Sequence, residues 1–254
     1  MIHICTVHWR NATWIDLQQS FLQENFSGSE YRLYVSYSGI PSHFFSDCYF
    51  SIEEDIRDHA TKLNRLADYV SRDPSSLSSD ILIFIDGDAF PIAPIASSLA
   101  EHLKRAPLIA VRRDENHGDR QPHPSFCATT LGFWTALPGD WRSGPTWLNK
   151  AGKPVTDVGA LLLERLQEKG NEWTPMLKSN PPKLHPVFFS VYERLVYHHG
   201  AGFRRKVSRA DLVGQEPTAT SRALIGAENE ELSNMVISSL KKSKSDFLQL
   251  IGAN

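Results

Sequence analysis

Apolar and polar positions along the chain follow two alternating patterns. Residues 2–7 and 81–85 are mainly apolar runs of strand length, and residues 31–36 alternate between apolar and polar positions as a strand does. In 14–25 and 52–70, apolar residues recur at three- and four-residue spacing, which predicts one buried face of a helix. Strands that alternate with helices predict an α/β fold, with a central, mostly parallel sheet, right-handed crossovers and flanking helices.

The rest of the chain continues this pattern less regularly. Thr13 is placed to cap the first helix, and the polar loop 112–124 lies between two predicted strands, where loops cover a site or move. The composition changes after Asp211, so we predict one α/β domain at 1–210 and a helical C-terminal tail at 211–254. The remaining predicted elements are helices at 94–105, 157–169 and 228–242 and strands at 108–111 and 126–134.

The strand at 81–85 carries the strongest functional signal because two aspartates follow it directly. A run of five apolar residues predicts a strand that is buried on both faces, and Asp86 and Asp88 then lie at its carboxyl end. Open α/β sheets bind ligands at that edge, and Gly87 allows close approach of the backbone. Two carboxylates that repel each other are stabilised by Mg²⁺ or Mn²⁺, which take further oxygen ligands from phosphates. The sequence therefore predicts a metal–diphosphate site.

Composition and charge narrow the class of protein. The 254 residues are 41% hydrophobic and 22% charged, which is typical of a soluble globular domain, and a net charge of −2 gives no support for nucleic-acid binding. Cys5, Cys48 and Cys127 are far apart and lack zinc-site spacing, which suits a reducing compartment. No apolar run reaches the ~18 residues of a membrane helix. We therefore expect a cytoplasmic protein with no transmembrane segment and no nucleic-acid partner.

Polar residues on neighbouring elements are candidates for the same edge of the sheet. Thr6, His8 and Trp9 end the first strand, where a nucleotide base can stack on an aromatic ring, although Trp9 could equally belong to the core. Lys62 and Asn64 lie on the helix before the aspartate strand, where they either reach the site or form a solvated helix face.

Further candidates come later in the chain. Asp157 is predicted to begin a helix, where it can either serve a site or simply cap the helix near the positive end of its dipole. His198 and His199 follow an apolar segment and could ligate a metal or only form local hydrogen bonds. Arg204 and Arg205 follow them and are suited to phosphate contacts.

Taken in order, these features resemble glycosyltransferases of the GT-A fold over roughly residues 2–210. That superfamily has an early nucleotide-binding strand, an Asp-x-Asp metal motif, a later acidic residue and, in many members, a C-terminal histidine. In glycogenin-like members the histidine lies in His-x-x-Gly-x-x-Lys, and here the segment from His199 through Gly202 to Arg205 has this spacing with arginine in place of lysine. The usual Pro-Trp afterwards is absent, which leaves the subfamily and the stereochemistry open.

The resemblance implies a Mn²⁺- or Mg²⁺-dependent enzyme. Asp88 would be the firmest metal ligand, while Asp86 would hold the metal or the ribose next to Gly87. The C-terminal ligand would come from His198 or His199, of which His199 fits the spacing better.

The resemblance also implies roles on the substrate side. Thr6, His8, Trp9, Lys62 and Asn64 would bind the nucleotide sugar. Arg204 and Arg205 would contact the diphosphate, and Asp157 would act either as the base of an inverting reaction or as a donor-sugar contact in a retaining one. The partners would be a nucleotide-diphosphate sugar donor and a glycan or other hydroxyl acceptor, in bacterial surface polysaccharide or other glycan synthesis. The tail could support a homo-oligomer.

Three other classes fit part of the pattern. A haloacid-dehalogenase-like phosphatase also uses Asp-x-Asp after an apolar strand, but its motif lies near the N-terminus and continues differently. A sugar-1-phosphate nucleotidyltransferase would carry a glycine-rich loop after the first strand, and residues 6–13 contain no glycine. A non-catalytic carbohydrate- or protein-binding module would not need these residues to converge.

Overall fold

The structure is a computed structural model of the chain. It describes residues 1–116, 118–149, 152, 154–181, 184–185, 187–200 and 217–253, with side chains from residue 230 onward in the last range. No helix in these ranges is both long enough and apolar enough to cross a membrane.

The described residues contain twelve strands and seven α-helices. The strands are β1 Ile2–Trp9, β2 Tyr31–Ser38, β3 Phe50–Ile52, β4 Ile81–Asp86, β5 Ala89–Pro91, β6 Leu108–Val111, β7 His123–Thr130, β8 Trp147–Leu148, β9 Pro154–Val155, β10 Thr174–Met176, β11 Ser190–Tyr192 and β12 Val196–His198. The helices are α1 Ile15–Asn25, α2 His59–Arg72, α3 Ala96–Leu103, α4 Leu131–Ala136, α5 Ala160–Glu168, α6 Pro217–Lys242 and α7 Lys244–Ile251, with a 3₁₀ helix at Ser42–Phe44.

Seven strands form the central sheet in the order β10-β6-β7-β4-β1-β2-β3. Strand β1 pairs in parallel with both β2 and β4, whereas β7 runs antiparallel to its neighbours β4 and β6. Six strands therefore share one direction and β7 opposes them. The predicted α/β class, with a central, mostly parallel sheet flanked by helices, is confirmed.

Two apolar layers cover the sheet, one on each face. Helices α1 and α3 pack on one face and α2, α4 and α5 on the other. Along β4, Ile83 and Ile85 enter the first layer while Leu82 and Phe84 enter the second. This alternation follows from the two-residue period of a strand and explains why β4 has no polar position before Asp86.

Several element boundaries differ from the sequence-based prediction for local reasons. Helix α2 starts at His59, not at residue 52, because Asp58 caps it by accepting a hydrogen bond from the Thr61 amide at 2.7 Å. The strand predicted at 126–134 ends at Thr130, whose hydroxyl caps α4. Helix α1 has Trp14 at its N-cap and no side-chain cap, so Thr13 does not have the predicted role.

The C-terminal helices pack against the domain. Phe247 on α7 is fully buried and contacts the rings of Phe21, Phe90 and Tyr197. The predicted C-terminal helices are present: α6 contains the helix predicted at 228–242, and α7 follows it. Ser243 caps α7 by accepting from the Asp246 amide. Because the apolar face of α7 is buried within the same chain, it offers little to a second copy, and oligomerisation through the tail stays a prediction.

Candidate metal and nucleotide site

The two aspartates lie where β4 ends and β5 begins. A small three-stranded sheet, β11-β12-β5, meets the central sheet at this point, and its pairing places His198 opposite Ala89. The His199 amide also donates to the Asp88 carbonyl at 3.0 Å. Strand β12 therefore brings a residue more than one hundred positions later in the chain to the aspartate turn.

Asp86, Asp88 and His198 form one buried cluster. Each offers one ligand atom, and these atoms lie within 4.8 Å of one another. The His198 Nε2 atom is 3.5 Å from Oδ2 of Asp86 and 3.6 Å from Oδ1 of Asp88. Two carboxylate oxygens and one imidazole nitrogen are a donor set that suits Mn²⁺, or Mg²⁺ with the aspartates as its main ligands. The residues present therefore fit the predicted divalent cation.

Imidazoles surround the first aspartate. Burial alone would raise the pKa of Asp86, but His59, His123 and His198 together hold it well below its usual value. The closest of these atoms is Nε2 of His59, which is 3.0 Å from Oδ1 of Asp86. Asp86 is therefore kept ionised despite its burial, which is the state that metal ligation requires.

His123 lies next to His198 at the edge of this cluster. Its ring centroid is 5.9 Å from that of His198, and its Nδ1 accepts a hydrogen bond from the Ser125 amide at 3.1 Å. Burial, together with the nearby Arg113 guanidinium, lowers the pKa of His123 well below its usual value. His123 is therefore neutral at pH 7, with Nδ1 as an acceptor.

His199 does not lie in the cluster. Its Nδ1 is 2.9 Å from the Tyr197 hydroxyl and its Nε2 is 3.1 Å from the Ser233 hydroxyl on α6. Burial, followed by the proximity of His198, lowers the pKa of His199 to about 3. The structure thus brings His198 and not His199 to the aspartates, contrary to the preference drawn from the His-x-x-Gly spacing, because adjacent strand residues point to opposite faces.

Trp9 and Lys62 meet beside the end of β1. The Lys62 Nζ atom lies 5.4 Å from the Trp9 ring centroid, and the Arg10 guanidinium carbon lies 5.3 Å from it. Lys62 is almost fully buried, and this burial lowers its pKa to about 8 although Asp55 and Asp58 oppose the shift. Lys62 is therefore buried against an aromatic ring and is not part of the solvated helix face considered as the alternative.

The other two residues at the end of β1 face away from this pair. The Thr6 hydroxyl donates to Oε1 of Gln18 on α1 at 3.0 Å, and the His8 ring stacks on Tyr37 with centroids 6.0 Å apart. Because side chains alternate along a strand, Thr6 and His8 face α1 whereas Trp9 faces α2. The structure therefore does not bring these three predicted nucleotide contacts together.

The polar groups of Asn64 and the backbone of Gly87 make contacts within the fold. The Asn64 amide donates to Asp140 at 2.8 Å and its oxygen accepts from the Trp141 amide at 3.0 Å, so its polar atoms hold the loop between α4 and β8. Gly87 donates to the Val7 carbonyl at 3.1 Å and does not adopt a left-handed conformation. The close approach at Gly87 is to β1, within the fold.

Asp157 belongs to an ion-pair group and does not begin a helix. Helix α5 starts at Ala160, and its N-cap is Gly159 with φ 89°, where an added Cβ would lie 2.1 Å from the Pro122 carbonyl. The Arg113 Nη2 atom bridges Oδ2 of Asp157 and Oδ2 of Asp119, each at 2.7 Å. Only the Asp157 side chain of this group is substantially exposed, at 45%.

Side-chain contacts also hold the loop from β6 to β7. Glu115 in this loop accepts a hydrogen bond at its Oε1 from the Tyr192 hydroxyl at 2.8 Å, and Gln121 in the same loop is fully buried. The sequence pattern does not single out Gln18, Arg113 or the role of His59. His59 lies inside the helix predicted at 52–70 and Arg113 lies two residues after the strand predicted at 108–111, but their partners Asp86 and Asp157 lie far along the chain.

Two predicted phosphate contacts cannot be placed. Arg204, Arg205 and the glycine of the His-x-x-Gly spacing, Gly202, lie outside the described residues. Their roles stay predictions.

Comparisons with known proteins add structural similarities. No protein-family model and no curated protein matched the chain. Among solved structures, the galactosyltransferase LgtC with donor and acceptor sugar analogs is 10% identical, with 69% of this chain and 73% of that chain covered and a TM-score of 0.42. The mannosyltransferase PcManGT from Pyrobaculum calidifontis, with GDP-Man and Mn²⁺, is 12% identical, with 98% and 78% covered and a TM-score of 0.46. At these identities and TM-scores, the similarities carry no argument about the function of this chain.

Proposed function

We propose that this chain is a metal-dependent glycosyltransferase that moves a sugar from a nucleotide-diphosphate sugar to a hydroxyl acceptor. The observation that carries the proposal is the buried Asp86–Asp88–His198 cluster at the carboxyl edge of a mostly parallel sheet. Ligands of α/β proteins bind at that edge, and a cation held by few protein carboxylates takes further ligands from phosphates.

Asp86, Asp88 and His198 would hold the cation, with Asp88 as the firmest ligand. A bound Mn²⁺ or Mg²⁺ supplies Lewis-acid stabilisation of the charge that develops on the departing diphosphate. The chain contributes the His198 imidazole and the carboxylates of Asp86 and Asp88 in a buried setting, where charge interactions are stronger than in water. Arg204 and Arg205 are proposed as further cationic contacts to the diphosphate.

The nucleotide would bind between β1 and α2. Trp9 offers a ring on which a base can stack, and Lys62 offers a buried cation 5.4 Å from that ring. Asp86 and Gly87 border the same edge from β4. Thr6, His8 and Asn64 are proposed to support the nucleotide-binding residues without touching the nucleotide, because their hydrogen bonds and ring contacts are made to residues inside the fold.

Asp157 would serve the sugar or the acceptor. Its carboxylate is half-exposed, and Arg113 anchors it in a group that extends towards His123 and the cluster. In an inverting reaction Asp157 would accept the proton of the attacking hydroxyl, and in a retaining reaction it would hold the donor sugar. Both roles need the carboxylate in the place that Arg113 fixes.

The cellular setting is also part of the proposal. We place the reaction in the cytoplasm, in bacterial surface polysaccharide or other glycan synthesis. Cys5 and Cys127 are buried free thiols in separate strands, which supports a reducing compartment.

Calorimetric titration tests the proposal. UDP and GDP are titrated into the protein with and without Mn²⁺, and one of them should bind only with the metal. Asp88→Asn should abolish this binding, while Glu101→Gln, which removes an exposed carboxylate on α3, should not change it. Metal-independent binding in the wild type, or unchanged binding in Asp88→Asn, would contradict the site. Incubation with the matching nucleotide sugars should then release the nucleoside diphosphate, whereas release of inorganic phosphate from a phosphomonoester would favour a phosphatase.

A further inference from the structure

A single buried amide brackets the aspartate turn. Gln18 on α1 is 1% exposed, and its Nε2 donates to the carbonyl oxygens of Asp86 and Ala89, both at 2.7 Å. These are the residues immediately before and after Gly87 and Asp88. Its Oε1 accepts from the Thr6 hydroxyl at 3.0 Å, so both ends of the amide are engaged.

We infer that Gln18 is a positioning residue that fixes the turn carrying Asp86 and Asp88, so that their carboxylates face His198. The inference rests on the proposed function in that this cluster is taken as the metal site. The amide nitrogen of glutamine carries two hydrogens and can donate to two carbonyls at once. Gln18 therefore holds both ends of the turn with one rigid group.

The turn is held from three sides, and Gln18 holds it from the side of α1. On the β1 side, the Gly87 amide donates to Val7, and on the β12 side, the His199 amide donates to Asp88. The carbonyls of Asp86 and Ala89 instead face α1. Buried carbonyls without a donor are costly, so removal of the amide should let this segment rearrange.

A merely structural role makes a different prediction. If Gln18 only contributed to folding, its loss would lower global stability and leave metal affinity in the folded protein unchanged. If it positions the turn, metal affinity should fall in protein that remains folded. A metal site typically loses about 10- to 100-fold in metal affinity when the hydrogen bonds that hold its ligand residues in place are removed.

The test compares Gln18→Met, which keeps the length of the side chain without its donors, with Gln19→Met, which makes the same change at the next residue of α1, where the amide donates to Ser46 and to the Asp47 carbonyl. Gln18→Glu serves as a second variant because it keeps the shape and can still accept from Thr6. Mn²⁺ alone is the probe, and its binding is measured from the electron paramagnetic resonance signal of the free ion. Hydrogen–deuterium exchange is measured in the metal-free protein over residues 84–91, with β2 as the internal reference.

We expect Gln18→Met and Gln18→Glu to weaken Mn²⁺ binding by about 10-fold or more and to speed exchange over 84–91 but not in β2. Gln19→Met should change either readout by less than about 3-fold. Wild-type Mn²⁺ affinity in both Gln18 variants, or an equal effect of Gln19→Met, would overturn the inference. Absence of Mn²⁺ binding in the wild type would contradict the proposed metal site instead, and the exchange over 84–91 would then decide whether Gln18 holds the turn.

Discussion

The buried imidazole of His8 should make the stability of the protein depend on pH. His8 is 2% exposed and its ring stacks on Tyr37 beneath the end of β1. Burial lowers its pKa from 6.5 to about 4, although a hydrogen bond with Gln18 opposes the shift. The folded protein therefore keeps His8 neutral at a pH where the unfolded chain binds a proton.

The sign and the size of the effect follow from this difference in pKa. Because the unfolded state binds more protons, the free energy of unfolding falls as the pH drops below 6.5 and levels off near the folded pKa of about 4. Between about pH 7.5 and about pH 5, the loss from His8 alone is about 2 kcal/mol, and it approaches about 3 kcal/mol below pH 4. Carboxylates titrate mostly below this window, so histidines dominate it.

Urea unfolding of the metal-free protein at the two pH values measures the effect. In His8→Gln the loss of stability between about pH 7.5 and about pH 5 should be smaller than in the wild type by about 2 kcal/mol. His43→Gln is the matched control, because its side chain is exposed and remains hydrated in both states. The same pH dependence in His8→Gln and in the wild type would refute the reasoning.

Three further predictions concern the site. His198→Ala should lower Mn²⁺ affinity by about 10-fold or more, whereas His199→Gln should change this affinity by less than about 3-fold. His199→Gln should instead lower the free energy of unfolding by about 1–3 kcal/mol, because it breaks buried hydrogen bonds. Equal Mn²⁺ affinities of the two variants in calorimetry would contradict the cluster. Asp157→Asn should bind nucleotide normally but lower turnover by about 100-fold or more, and wild-type turnover would remove Asp157 from the mechanism. Lys62→Met should weaken nucleotide binding. It should not lower the free energy of unfolding, because it removes a desolvated charge and keeps the length of the side chain. Unchanged nucleotide affinity would place the nucleotide elsewhere.

The centre of the site was predictable because its signal is local. An uninterrupted apolar run predicts a strand buried on both faces, and the aspartates that follow must then lie at its carboxyl end. The structure has this arrangement at β4, with Asp86 as the last residue of the strand. The order of strands and helices was likewise enough to predict the fold class.

The parts that were not predictable depend on distant contacts. Gln18 reads as one polar position on an amphipathic helix, and only the tertiary fold shows that it reaches the turn after β4. Asp157 resembled a helix start because apolar spacing follows it, yet the close approach of Gly159 to Pro122 moves the start to Ala160. Spacing also favoured His199, because a linear motif does not state which strand face a residue occupies.

The most direct test of the central claim is the position of a bound metal. Crystals grown with Mn²⁺ and the nucleoside diphosphate that binds in calorimetry would be measured at the manganese absorption edge. The account predicts one anomalous peak within ligand distance of Asp86, Asp88 and Nε2 of His198, in contact with the diphosphate. A bound nucleotide with no anomalous peak at these three residues would contradict it.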